Sequence, residues 1–482
     1  MSTDRIGFAS KLGGLLAAAG SAVGLGNIWR FPTQAGENGG SAFLIVYIAV
    51  ILIFGIPLLI SEFAIGRHAR ANVGNAYSVL APNSWWKIIG FGSVFVAFTI
   101  LTYYNVVVGW VFYYTAEAVS AGSFLAIHDD GTLGTSAEFF GSFVSNPYKP
   151  LICLFIVTAI IHVVIVSGVR KGIERSSKVL VPALFLIMIM LVVFSATMPG
   201  AAKGYEFLFK LNFSDITPDV VLSAVGQCFY SFSLGMGLVT YASYFRRDVN
   251  LNRTALSVAS LDTLVAVLAG LIIFPAVFSV AGMSPAQGAG LVFISLPNVF
   301  NSALQNHAFL NWLIPSAFYG ILLVAALTST IFLHEVSTAF IAERAHISRT
   351  KSATIVSIAV LAIGSIASLS MGPLSDILIF NMNIFDFLDF FTAKIILPLT
   401  GLGAALFVGY KMTTTQLWSE LTSYGKVKFL WLIPFLVLVR FIIPILIIVI
   451  LVSGLTNISI NDAVAFINQA KYTEAINNFE AV

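Results

Sequence analysis

Charge is scarce in this sequence. Asp, Glu, Lys and Arg make up 10% of its 482 residues, whereas about a quarter of an ordinary soluble domain is charged. That excludes a soluble protein of this length. Cysteine is nearly absent: Cys153 and Cys228 both fall in apolar segments, so no disulfide framework is expected. Histidines are few and scattered. His334-Glu335 begins like a zinc motif, but position 338 is Thr, so the second metal-binding histidine is missing. With no polar catalytic cluster, an enzyme is not expected. Long basic runs are lacking too, and the net charge of +3 leaves no footprint for nucleic acid.

Apolar sequence is what remains: 58% of residues are hydrophobic and the mean hydropathy is +0.94. Runs long enough to cross a bilayer recur along the whole chain. We count eleven spans, with cores near 12–35, 41–66, 88–117, 151–168, 178–197, 220–245, 256–282, 310–342, 353–372, 387–410 and 429–454. Charge placement tests the count. With the N-terminus inside, the cytoplasmic side receives 18 of the 25 Lys and Arg, among them Arg67, Arg70, Arg170, Lys171, Arg246, Arg247, Arg349 and Lys411. Four fall outside: Lys149, Lys203, Lys210 and Lys471. The positive-inside rule predicts such a bias, and a miscounted span would scramble it. The expected protein is a multi-pass protein of the cell (inner) membrane, with a cytoplasmic N-terminus and a C-terminus on the far side. Cleavage after Ala17-Ala18-Ala19-Gly20 as a signal peptide is not expected, because it would discard half of a continuing apolar segment. The uncharged, apolar outer loop 283–308 is expected to fold back on the helices, as a lid or as an ordinary packed loop. The polar tail from about Ile458 is expected to be loosely ordered.

The first span has the wrong composition for a plain helix. Residues 20–32 read Gly-Ser-Ala-Val-Gly-Leu-Gly-Asn-Ile-Trp-Arg-Phe-Pro. Each glycine weakens a helix by roughly 1 kcal/mol relative to alanine. Asn27 and Arg30 are costly at membrane depth unless something pairs with them. A helix broken in the bilayer leaves backbone groups that lipid cannot satisfy, so a cavity, an ion or a substrate must. Span six repeats the signal, with Gly235-Met236-Gly237 mirroring Gly24-Leu25-Gly26. Five spans separate the two, so they enter from opposite sides. The chain then reads as one all-α transmembrane domain, residues 1–482. Helices 1–5 (about 1–197) and 6–10 (about 220–410) are inverted repeats, each opening with a broken helix, and helix 11 (about 429–454) is extra.

At this point the residues carry a resemblance. The 20–32 segment with Glu37-Asn38-Gly39-Gly40, Gly55-Ile56-Pro57 with Glu62, Tyr103-Tyr104 and Lys171-Gly172-Ile173-Glu174-Arg175 resemble the neurotransmitter:sodium symporter family. Gln227 to Gly237, Tyr241 to Tyr244 and Leu327 to Thr330 continue the pattern in collinear order. The resemblance implies sodium-coupled import of a small neutral amino acid by alternating access, with two sodium sites. The first would use the Ala22 carbonyl, Asn27, Ser231 and Asp262, completed by the substrate carboxylate. The second would use the carbonyls of Gly20, Val23 and Ala325 with the hydroxyls of Thr328 and Ser329. Leu25 and Gly26 N–H groups and the Tyr104 hydroxyl would meet the carboxylate. Ser233 and carbonyls near Tyr230 and Ser231 would receive the ammonium. Ile100, Tyr230, Met236 and Leu333 would line the side-chain pocket, with Ala22 and Ser329 beside them. Amine-carrying relatives have an aspartate where this chain has Gly24, so the substrate here must bring its own carboxylate. A flexible Met in an apolar pocket suggests a large aliphatic or aromatic side chain.

Asp262 departs from the family pattern. It would put negative charge where chloride sits in chloride-dependent relatives, near Tyr47, Gln227 and Ser231, so transport is expected to be chloride-independent. Asp262 would also be free to take a proton on the empty return step. Arg30 with Asp389 would gate the outside, and Arg5 with Glu343, where the family has an aspartate, the inside. Gly172 and Pro182 flank a stretch that either unwinds or simply starts a helix. Lys394 is expected to pair with a nearby carboxylate or to snorkel. The usual twelfth span is missing, which leaves the oligomeric state open. A sodium-independent permease of the same architecture and a non-transporting amino-acid sensor both remain compatible with these residues. Two sodium ions with a zwitterion would carry two charges inward, worth about 4.6 kcal/mol at 100 mV, or over three decades of accumulation.

Overall fold

The computed structural model describes residues 7–120, 124–125, 134–280, 285, 290–304 and 308–456. Among these, nine helices are long and apolar enough to cross a membrane, and the pair Lys11–Ala22 and Gly26–Glu37, bent by 48°, makes a tenth. The eleventh expected span is two short pieces, Pro218–Ser231 and Leu238–Ala242, neither long enough alone. The count of eleven therefore depends on reading 218–242 as one broken span.

Polar N-caps mark where many helices start. Ser10, Asn72, Thr217, Asn250 and Ser348 each accept a bond from a backbone N–H in the first turn. These bonds satisfy donors that a helix end otherwise orphans. Lys87–Ser120 runs through the centre, with 89% of its most apolar window buried, and packs along Ala308–Ala345. Val169–Ser195 and Leu432–Leu455 are peripheral; only 28% of their windows is buried, and the remainder is a lipid-facing surface with Leu186, Val193 and Ile433. The small residues Ala17, Ala18, Ala19 and Gly20 are all buried, which lets the first helix sit close to its neighbours.

The 283–308 segment does fold back where it is described. The Phe293 ring packs edge-on to Trp29 at 5.5 Å and stacks with Phe140, while the Phe293 and Val292 carbonyls accept from Tyr114 and Tyr319 hydroxyls. The acidic residues Asp129 and Asp130 and the polar tail lie outside the described residues.

One buried ion pair ties the second span to the connection between the tenth and eleventh. Arg67 Nε donates to Glu420 Oε2 at 2.5 Å, and its other nitrogens reach the Glu420 and Val249 carbonyls. Burial pushes the Glu420 carboxyl up, but His68, Arg67 and Tyr424 outweigh it and hold the group below its usual range. The cluster's stabilisation is thus present above the ordinary carboxylate pKa and is lost as pH falls through the depressed value. Arg67→Met is expected to cost about 3–5 kcal/mol, because it strands a buried carboxylate. A melting temperature in detergent within one degree of the unmodified protein would show that Glu420 finds another partner.

Candidate functional site

The two broken segments lie against each other, on either side of one cavity. In the first, Val23 leaves the helix with ψ 105°, and a π-helical turn resumes at Gly26. In the second, Ser233, Gly235 and Gly237 all have positive φ (53°, 77° and 105°), a backbone path that glycine takes without strain. The freed backbone groups find specific side-chain partners. Glu62, buried in the second span, accepts from Gly235 N–H at 2.7 Å. Gln227 Nε2 donates to the Gly26 carbonyl at 2.8 Å, and Ser233 Oγ donates to the Ser21 carbonyl at 2.9 Å.

A cavity of about 30 Å³ lies between the breaks. It is lined by Ala22, Gly26, Ile100, Tyr104, Tyr230, Ser231, Ser233, Met236, Ser329 and Leu333, and also by Ser21 and Gly24. Ten of the eleven candidate substrate contacts therefore surround one space. Leu25 does not line it; its N–H points at the Tyr104 hydroxyl, 3.3 Å away. In this form the volume is close to what a single water needs. A larger occupant requires the walls of the cavity to move. Ser21 was not among the contacts that the resemblance implied, and Gly24 entered there only as the position that bears on the substrate's carboxylate.

Asp262 is fully buried beside this cavity. Its Oδ1 accepts from Asn27 Nδ2 at 2.7 Å and Ser231 Oγ at 2.8 Å, and its Oδ2 accepts from the Tyr47 hydroxyl at 3.2 Å. Asn27 Nδ2 also reaches Ser231 Oγ and the Asp262 carbonyl, while its Oδ1 accepts from Gly24 N–H at 3.0 Å. So the oxygens of Ser231 and Asp262, from two helices, converge on the Asn27 amide nitrogen. Among the described residues no basic side chain forms an ion pair with Asp262. Gln227 Oε1, nearby and buried, has no hydrogen-bond partner. The oxygens proposed for a second cation also gather: Thr328 Oγ1 lies 3.2 Å from the Val23 carbonyl and 2.8 Å from that of Ala325. Gly20 packs against Thr328, and Ser329 Oγ sits where a side chain at Gly24 would go.

The gates differ from expectation. Arg30 stacks over the Tyr230 ring at 4.5 Å, and Asp389 accepts from the Tyr103 hydroxyl at 3.0 Å. No ion pair joins Arg30 to Asp389 among the described residues: the tyrosine hydroxyl and the ring face each supply a competing partner. Arg5 lies outside the described residues. Glu343 accepts from the backbone and side chain of Asn72. Lys394 is exposed and forms no ion pair among the described residues. It lines an outer cavity of about 260 Å³ with Arg30, Asp219 and Tyr230. Elsewhere, Tyr244 donates to Glu335 at 2.6 Å, and Glu335 pairs with Arg349 at 2.5 Å. Sequence reasoning used Glu335 only to reject a zinc motif. A buried acid in an apolar span was the signal that it needed a partner.

Comparison with known proteins agrees with this geometry. The sequence profile of the sodium:neurotransmitter symporter family matches residues 5–126 and 135–476. A protein of Bacillus subtilis (strain 168) named as the sodium-dependent transporter YhdH is 37% identical over 451 residues, covering 92% of this chain and 97% of its own. A sodium-dependent transporter of Haemophilus influenzae is 34% identical over 459 residues, covering 93% and 98%. The crystal structure of MhsT in complex with L-phenylalanine superposes with a TM-score of 0.83 at 39% identity, covering 93% of this chain and all of that one. Two facing helix breaks, an oxygen-lined pocket between them and a profile match along almost the entire length lead to one assignment: this chain is a multi-pass membrane transporter, not an enzyme, and belongs to the sodium:neurotransmitter symporter family.

Proposed function

We propose that the protein is a symporter that uses sodium to import a neutral amino acid with a large aliphatic or aromatic side chain, independently of chloride. One observation carries the sodium reading. Asp262 is buried among three neutral donors with no basic partner in the described structure. A lone buried carboxylate needs a cation or a proton to balance it. With the Asn27 amide turned, its oxygen would join those of Ser231 and Asp262, an all-oxygen set that suits a hard ion. Asn27 links this ion to the substrate. A cation that draws the Asn27 oxygen toward Asp262 would release Gly24 N–H, which then meets the substrate carboxylate. After the cation leaves, a proton on Asp262 would balance the charge and return with the empty carrier. Two of the groups that would otherwise hold chloride, Tyr47 and Ser231, already donate to Asp262, which supports chloride independence. The second sodium would rest on Gly20, Val23, Ala325, Thr328 and Ser329. The distribution of basic residues supports an N-terminus in the cytoplasm and a C-terminus outside.

A named relative from Drosophila pseudoobscura pseudoobscura, the sodium-dependent nutrient amino acid transporter 1, and the phenylalanine in the MhsT structure both favour an amino-acid substrate. The test is competition binding of all twenty amino acids to the purified protein, repeated with choline for sodium and gluconate for chloride. Binding of large apolar amino acids is expected in sodium, with at least a tenfold loss in choline and no change in gluconate. Uptake that persists undiminished in choline would refute the sodium coupling; binding with no uptake in vesicles would identify a sensor.

A further inference from the structure

The Lys171-Gly172-Ile173-Glu174-Arg175 motif has no part in the site described so far. Its stretch is wound here: a π-helical turn, Val169–Glu174, leads directly into helix Arg175–Ser195. Glu174 is 1% exposed and points not along its own helix but at the start of the first one. Oε2 accepts from Ala9 N–H at 2.7 Å. Oε1 accepts from Ser10 N–H at 3.3 Å and from Ser10 Oγ at 2.8 Å. Lys178 pairs with it from one turn on, at 2.7 Å. Ser10 in turn caps the first helix by accepting from Gly13 N–H at 3.0 Å. Gly13 is itself part of the arrangement, since a Cβ there would overlap the Glu174 carboxylate.

We infer that Glu174 is a cytoplasmic latch: it clamps the amino end of the first helix to the fifth, and its release is required before sodium can leave inward. This rests on the symporter reading above. The same short segment seals the inner side. Phe8 packs among Tyr241, Tyr244 and Phe245, and its N–H donates to the Tyr244 carbonyl at 3.2 Å. Arg170 adds a bond to the Gly7 carbonyl at 2.9 Å. The outer side, in contrast, holds the larger cavity. Gly20 and Val23, which offer carbonyls to the second cation, lie further along the clamped helix, and Gly20 packs on Val181 and Ser177 of the fifth. A path from the cytoplasm to those carbonyls opens only if the two helices part. Negative charge is favoured at a helix amino end, and a charged acceptor makes each bond about twice as strong as a neutral one, so Glu174 biases the population toward the inward-closed form.

A protein that binds sodium from the outward-facing form has an apparent sodium affinity reduced by the fraction in that form. Glu174→Ala, in the full-length protein, is therefore expected to raise half-saturating sodium for amino-acid binding by roughly fivefold or more at an unchanged number of sites. Glu174→Gln keeps an acceptor oxygen and should fall between. Gly13→Ala displaces the carboxylate without removing it and should match Glu174→Ala, which covers the case in which Glu174→Ala fails to fold. Hydrogen exchange over residues 9–18 should accelerate in all three, and sodium should slow it again. Faster exchange with an unchanged sodium half-saturation would overturn the latch and leave a structural cap. If the unmodified protein binds its amino acid without regard to sodium, the symporter reading fails and takes the latch with it; variants equal to a sodium-dependent parent sink the latch alone.

Discussion

Gly24→Ala is expected to lower substrate affinity by at least about a hundredfold, the size of effect seen when a few kcal/mol of binding is removed. The Cβ would land on the Ser329 hydroxyl, with the Tyr104 hydroxyl only 3.5 Å away. Two functions meet at that point. Gly24 N–H is the donor that Asn27 holds in this form, and Ser329 is both a pocket wall and a candidate second-sodium ligand. Pushing Ser329 away should therefore weaken sodium and substrate together. Gly24→Asp should be more severe, because its carboxylate would occupy the space and charge that the substrate's own carboxylate requires. Ser329→Gly alone removes the hydroxyl but makes room. The double variant Gly24→Ala with Ser329→Gly should then bind substrate better than Gly24→Ala alone, a coupling readable by a double-mutant cycle. Strict additivity of the two would mean that the close approach is irrelevant to binding.

Asp262→Ser is expected to convert chloride-insensitive uptake into chloride-stimulated uptake. The substitution leaves Tyr47, Ser231 and Asn27 as donors around a space that has lost its fixed negative charge. Three neutral donors without an anion are a cradle for one. With gluconate as the only anion, uptake by this variant should drop tenfold or more, and chloride should restore much of it. Asp262→Asn fills the space and should recover less. Internal acidification should also lose its effect on uptake in Asp262→Ser, since the group proposed to carry the proton is gone. Activity and chloride response both unchanged in Asp262→Ser would defeat this assignment.

Much of the architecture was legible because it depends on local rules. Apolar run length set the spans, and lysine and arginine placement set their expected direction. The glycines at 24 and 26 and at 235 and 237 marked where helices could not continue, whereas the first helix runs on through Gly20 to Ala22. Those rules fail for 218–242, where the break leaves pieces too short to count as a span by length. They fail again for the expected Arg30–Asp389 pair, since each of the two has taken a tyrosine as its partner. A charge pair read from sequence carries no information about which neutral groups compete for it.

By itself, the sequence determined that this is a membrane chain with two helix breaks, and that Gly24 and Asp262 stand apart from ordinary span residues. The first follows from the cost of glycine, charge and unpaired backbone in lipid wherever the helices pack; the second is what the family resemblance implies. Tertiary structure alone decided what each of those residues meets: Ser329 against Gly24, three donors on Asp262, Glu174 on the first helix and Phe293 over Trp29. Those contacts depend on the rotation and separation of helices far apart in the chain. Periodicity constrains which face of a helix is apolar but leaves the partner of a single buried polar atom undetermined.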